Sequence, residues 1–314
     1  MKNTLKFATV ITIITLAACK KEETPAPVNP SPSGYTSMND FYAQNGVPLQ
    51  TYSIDGTSGG SFTTPQGTVV TIPPNAFVTQ SYVPVTGNVT IEFKDIYKKS
   101  DMVLSDKTTG SYWGWPLKSA GEFFFRAVSG SNTVIINPGK KISVAQPALL
   151  TGIADTSMKP FVLIPDSANN QGGWANSYYD TLLISATNYV YNMYYSQNPV
   201  NNGTWYNSDS PSYFSSALQT TLTLHSNDPI NYQTDIFLVY KNVNSGVHVY
   251  GNGTDFIYQY APQGLQCTVV AVGVKGGKLY SSFVPITIGT NQTVNFSLTE
   301  TTTVDFKTQL ETLN

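Results

Sequence analysis

The sequence predicts an all-β protein: two β-sandwich domains in tandem behind a proline-rich N-terminal tether. Three observations predict it. Short apolar runs with period-two alternation recur along the chain, separated by Gly, Pro and Asn. Tyr (20) and Phe (15) accompany abundant Gly (24) and Pro (19), the residue types of strands and turns. Apolar residues make up 40% of 314 residues, enough for two sandwich cores without disulfides at ~25 cal/mol per Å² buried.

At the N-terminus, Lys2 and Lys6 flank the start of an apolar run that ends in Leu16-Ala17-Ala18-Cys19. A basic start, a short apolar core and small residues before a cleavage point read as a secretory signal peptide over residues 1–18. The run is shorter than the roughly 20 residues a spanning helix needs. Leu-Ala-Ala-Cys resembles the lipobox of bacterial lipoproteins. That resemblance implies that Cys19 carries fatty acyl chains such as palmitate and anchors the chain to the outer membrane. Two or more chains, at about 0.8 kcal/mol per buried methylene, anchor stably. Lys20-Lys21-Glu22-Glu23 resembles the charged export signal of Bacteroidota surface lipoproteins, which implies display on the cell surface; the alternatives are the periplasmic face and a merely solvated linker. The lipidated linker, residues 19–35, is rich in proline and favours an extended polyproline form. At ~3.1 Å per residue it would hold the folded part up to roughly 50 Å from the membrane.

Residues 36–150 read as the N-terminal sandwich. Thr36-Ser37-Met-Asn-Asp40 opens a short capped helix. Residues 67–72 form a strand stopped by Pro73 and Pro74. In residues 88–95, Val89, Ile91 and Phe93 alternate with Thr90, Glu92 and Lys94. Residues 122–128 and 133–137 make a hairpin, followed by a strand at 141–145. Gly67-Thr-Val-Val-Thr-Ile-Pro-Pro-Asn-Ala-Phe77 with Pro84-Val-Thr-Gly-Asn-Val89 resembles the β-sandwich domain of ankyrin, zonula occludens and netrin-receptor proteins. Residues 96–105 and 121–127 are similar to those of uncharacterised Bacteroidota lipoproteins. Both resemblances, over roughly residues 60–150, imply a fold and no activity. Relatives of the eukaryotic domain that cut themselves do so at His-x-Ser; Leu224-His225-Ser226 lacks the spacing.

Residues 151–229 read as a middle segment with strands. It holds a polar loop at 166–173 and a tyrosine cluster: Tyr178, Tyr179, Tyr189, Tyr191, Tyr194 and Tyr195, with Trp205-Tyr206. Residues 230–314 read as the C-terminal sandwich. Strand-like runs at 236–240, 256–260 and 267–274 precede Lys275-Gly276-Gly277-Lys278, a tight-turn sequence whose glycines supply positive φ. On the stretch 261–280, the region of roughly residues 230–302 resembles the small Greek-key sandwich of carboxypeptidase regulatory-like modules, which implies an accessory role. A helical turn is expected in residues 304–313.

Charge and chemistry narrow the function. The formal charge of −2 falls to −4 once Lys2 and Lys6 are cleaved off, so no basic field recruits nucleic acid. With Cys19 acylated, Cys267 has no disulfide partner and reads as a small buried hydrophobe. Gly56-Thr57-Ser58-Gly59-Gly60 matches a nucleophile-elbow string, but a strand or loop follows where a helix is required. The two histidines, His225 and His248, read as structural. No metal or cofactor is implied; Asp166, Asn169, Asn170 and Asp209 lack calcium-loop spacing. Glu92 and Glu122 cannot be placed together as a glycosidase pair.

The remaining binding candidates are aromatic: Tyr112, Trp113 and Trp115. They could stack on sugar rings or a protein partner, or plug the end of a sandwich. The expected function is that of a non-enzymatic cell-envelope interaction or adhesion module, with a protein or polysaccharide partner. The alternatives are glycan capture for uptake, and a hydrolase using Ser58 or a carboxylate pair.

Overall fold

A computed structural model describes residues 34–165, 172–195, 203–228 and 233–314. The leader, Cys19, the proline-rich stretch to Ser33 and most of the 166–173 loop lie outside the described residues. Strands account for 54% of the structure and helices for 10%, so the fold is all-β.

Helix α1 (Met38–Asn45) comes first, then β1 (Gln50–Asp55), β2 (Gly60–Thr63), β3 (Val69–Ile72), β4 (Phe77–Val78) and β5 (Asn88–Ile96). Helix α2 (Lys99–Leu104) follows. Next are β6 (Lys118–Ser129), β7 (Asn132–Ile136), β8 (Lys141–Pro147), β9 (Lys159–Ile164), β10 (Gly173–Asn176), β11 (Thr181–Ile184), β12 (Asn188–Tyr194) and β13 (Thr204–Ser210). The rest is β14 (Gln219–Ser226), β15 (Gln233–Tyr240), β16 (Gly246–Val249), β17 (Gly251–Asn252), β18 (Asp255–Pro262), β19 (Gln266–Lys275), β20 (Lys278–Thr287), β21 (Gln292–Phe296), β22 (Thr299–Thr301) and helix α3 (Thr303–Glu311).

Two sheets form the first sandwich. One runs β1-β5-β6-β13-β9-β10, with β7 on the far end of β6 and β4 on β7; the other runs β11-β12-β8-β3-β2. Val89, Ile91 and Phe93 enter the core between them, while Thr90, Glu92 and Lys94 face away, as the alternation predicts. Phe123, Val144 and Tyr191 complete the same core. The segment read as a middle region is shared out: β9 to β13 extend the first sandwich, and β14 belongs to the second.

The second sandwich pairs β17-β18-β14-β21 with β16-β15-β19-β20-β22. Leu222, Leu238, Val269 and Phe296 lie between these sheets. The second of the two sheets is covered on its other face as well. There Met38 and Phe41 of α1, Val103 and Leu104 of α2, and Phe306 and Leu310 of α3 pack on Phe237, Val270 and Val272. Coverage on both faces explains why β19 is a continuous apolar run rather than an alternating one. In place of the single helical turn expected within residues 304–313 stands the nine-residue α3, Thr303–Glu311, capped by Thr302, whose hydroxyl accepts from the Asp305 amide at 3.0 Å. Ser37 caps α1 by the same device. Gly276 and Gly277 sit at φ +57° and +81°, the primed turn expected between β19 and β20.

Candidate functional site

The loop between α2 and β6 carries Tyr112, Trp113 and Trp115, and backbone hydrogen bonds close it. Ser111 N–H donates to the Trp115 carbonyl (2.8 Å), Gly114 N–H to the Ser111 carbonyl (2.8 Å) and Leu117 N–H to the Thr109 carbonyl (2.9 Å). Ser111 Oγ accepts from the Trp115 amide at 2.9 Å. Gly114 adopts φ +86°, and a Cβ there would lie 2.9 Å from the Tyr260 ring. Glycine is required by both the turn and the close ring.

Both sandwiches hold this loop. Trp174 on β10 is buried; its amide donates to Gly110, its carbonyl accepts from Tyr112, and its Nε1–H donates to the Thr108 carbonyl at 2.6 Å. From the second sandwich, Tyr258 O–H donates to the Gly114 carbonyl at 2.9 Å. Thr109 N–H donates to the Gly246 carbonyl at 2.7 Å. The result is a tied-down loop with its aromatic rings outside. Trp113 is 73% exposed, Tyr112 49% and Trp115 44%. The rings therefore do not plug a sandwich. They are not a coplanar row either: Trp113 meets Tyr112 edge-on (5.2 Å, 85°), and Trp115 stacks on Tyr260 (5.8 Å, 29°).

Beside the loop is a cavity of about 220 Å³, lined by Ser111, His248, Tyr250, Tyr258, Gln259 and Tyr260. That is room for ~7 waters or a small ring. His248 forms part of its wall. Its Nδ1 lies 3.0 Å from Asp106 and its Nε2 3.3 Å from Asp235. Tyr42 O–H donates to Asp235 at 2.6 Å, and the Tyr250 ring stacks on the imidazole at 4.2 Å. Burial would lower the imidazole pKa, but the two carboxylates outweigh it and push the value up to about 9. At neutral pH His248 is an imidazolium with both nitrogens engaged as donors, which leaves no lone pair for general-base work.

The other candidates separate. Ser58 lies in an exposed turn, its hydroxyl 3.1 Å from Asp55 of that turn, and β2 follows it rather than a helix. His225 pairs with Asp255 at the surface (2.7 Å). Glu92 is ion-paired with Arg126 across β5 and β6. Glu122 is wholly buried on β6, in register with Asn207 of β13, and Asp209 is wholly buried two residues further on. Burial drives both carboxyls well above the ordinary range, and Asp209 raises Glu122 further; the nearby Ser119 hydroxyl donates instead to Asn207 Oδ1 at 2.7 Å. Neither carboxyl can reach a solvent-borne glycosidic bond. Among the described residues no group of three or more His, Cys, Asp or Glu is placed to hold a metal. Cys267 is free and buried, its thiol pushed up to about 12 by desolvation.

The tyrosine cluster divides between core and surface. Tyr189 and Tyr191 are buried, and the Tyr191 hydroxyl donates to Asp180 at 3.0 Å. Tyr178 (91% exposed) and Tyr179 rim a second cavity of about 550 Å³. It opens where β13 leaves β6 at Phe125 and β7 takes over at Ala127. Sequence reasoning found the three loop aromatics and missed Tyr250 and Tyr260, which lie more than 130 residues beyond the loop, and the pairing of His248 with Asp106 and Asp235. No local pattern joins them to the loop.

Compared with known proteins, the chain matches no family model, no curated protein and no solved structure.

Proposed function

We propose that this chain is a non-enzymatic, lipid-anchored interaction module of the cell envelope, and that the loop carrying Tyr112, Trp113 and Trp115 binds carbohydrate. One observation carries the reading: an indole 73% exposed on a loop tied down from both sandwiches. Trp is usually well buried, and exposing it forfeits apolar stabilisation. A rigid exposed ring whose neighbours are Tyr112, Trp115 and Tyr260, beside a largely apolar cavity that also carries Ser111, His248 and Gln259, suits the alternating apolar faces and hydroxyl edges of a sugar. The lipobox-like Leu16-Ala17-Ala18-Cys19 and the tether support the address. The resemblance of residues 230–302 to carboxypeptidase regulatory-like modules supports an accessory role.

The test is a panel of neutral polysaccharides titrated against the protein while tryptophan fluorescence is followed. Trp113→Ala should weaken binding by about 2 kcal/mol, roughly thirtyfold in Kd, with the melting temperature unchanged. If no polysaccharide perturbs the fluorescence, or Trp113→Ala binds as well as the wild type, the carbohydrate reading is wrong. A protein partner then becomes the leading occupant of the loop.

A further inference from the structure

A cleft of about 930 Å³ is lined by residues of both sandwiches and by none of residues 110–116 of the aromatic loop. Four lysines line it: Lys98 and Lys99 at the start of α2, Lys118 at the start of β6, and Lys241 just after β15. No Asp or Glu is among the lining residues. The protein carries 17 basic against 19 acidic residues, so four lysines on one lining without an Asp or Glu side chain is a local excess against the overall balance.

Two of the four are compensated from outside the cleft. Lys118 pairs with Asp155 (2.7 Å) and Lys98 with Glu311 (3.3 Å). Lys99 and Lys241 have no carboxylate within ion-pair distance among the described residues. Lys99 is the unusual one. It is only 7% exposed, and its Nζ donates to the Tyr240 carbonyl at 2.8 Å. Desolvation alone holds its pKa down to about 8, so the amine is still mostly protonated at neutral pH. A buried ammonium without a counter-ion costs folding energy, and an arriving anion would relieve that cost. Between the lysines, Asn242, Asn244, Gln266, Thr268 and Thr287 offer amides and hydroxyls, interspersed with apolar side chains such as Leu150, Ile153 and Ile286 that could meet the apolar faces of a sugar ring.

We infer that this cleft binds an anionic oligosaccharide, one whose carboxylate or sulfate groups meet Lys99 and Lys241 while its hydroxyls meet the amide and hydroxyl wall. Lysines act here as point charges; the chain's single arginine, the residue type suited to forked phosphate recognition, is committed to Glu92 elsewhere. The volume lies within the ~300–1,000 Å³ of small-ligand sites. The site is separate from the aromatic loop and does not depend on it.

The test is calorimetric titration with oligogalacturonate as the carboxylate probe, a heparin-derived oligosaccharide as the sulfate probe, and maltohexaose as the uncharged control. The wild type should bind one of the anionic probes and not the control, with affinity falling as salt rises. The double variant Lys99→Met, Lys241→Gln should lose roughly tenfold or more in affinity. Trp113→Ala should leave it unchanged, so failure of the cleft and failure of the loop are distinguishable. Saturating probe should also slow reductive methylation of Lys99 in the wild type, a readout that needs no variant to fold. Binding of neither anionic probe, equal binding by the double variant, or undiminished methylation of Lys99 overturns the inference.

Discussion

His248 shows how a single residue is specified by groups that neighbouring strands and a distant helix bring to it. Asp106 and Asp235 each approach one ring nitrogen, and Tyr250 and Phe237 close the faces. The folded pKa, about 9, lies above the free value of 6.5, so folding favours the charged ring. The stabilisation is complete below about pH 6.5 and is lost as pH rises through 9; its full size is on the order of 3 kcal/mol. Asp235, held below the usual carboxylate range by the same pairing despite its burial, contributes above its unfolded value and loses that contribution under acid. Lys99 works against His248 only from about pH 8 upward, where loss of its unfavourable charge begins to stabilise the fold. The melting temperatures of wild type and His248→Gln should therefore differ most near pH 6 and converge toward pH 9. A gap constant between pH 6 and 9 would mean that the ring's charge contributes nothing.

Helices of this protein act as covers rather than as a core. The helical residues of α3 are mostly polar, and only Phe306 and Leu310 are buried. These two close the outer face of the β15–β19–β20 sheet, with Phe306 meeting Phe41 at 5.8 Å and Phe283 at 5.5 Å. They share one buried cluster with Met38 and Phe41 of α1 and with Val270 and Val272 of the sheet. Phe306→Ala should cost about 3–5 kcal/mol by transfer and cavity formation, seen as a lower denaturant midpoint. The exposed neighbour Val304, changed to Ala, should cost almost nothing. Equal effects at the two positions would show that α3 does not seal the sheet. This use of α3 was only partly legible: residues 304–313 carry a helical pattern, but β19 reads as a buried strand without saying what buries it. Strand alternation, by contrast, depends on nearest neighbours along the chain and so could be read directly, as at Val89, Ile91 and Phe93.

On the scale of the whole molecule, the two sandwiches interlock instead of following one another as separate beads. Helix α1 precedes the first sandwich yet packs on the second, and α2 leaves the first to do the same. Ser119 and Asn244 exchange two hydrogen bonds across the junction (2.8 and 3.0 Å), and Lys99 reaches the Tyr240 carbonyl. Residues 34–314 accordingly form one compact unit, which a single lipid anchor would hold at the membrane. Cys19→Ser should therefore move the whole protein out of the membrane fraction and abolish incorporation of labelled palmitate; a variant that still fractionates with membrane would remove the lipid anchor from the proposal. The sequence by itself determined the all-β class, the positions of many of the longer strands, the glycine turn between β19 and β20, and the aromatic loop as a binding candidate. Each of these is encoded in period-two patterning or in residue chemistry over a few positions. Only the tertiary structure decided that Trp113 lies in solvent, that His248 is flanked by Asp106 and Asp235, and that Lys99 and Lys241 share a cleft lined by no Asp or Glu. Those facts rest on contacts between residues far enough apart in the chain, 142 positions for Asp106 and His248, that they are set by how sheets stack and cross, and no local period records them.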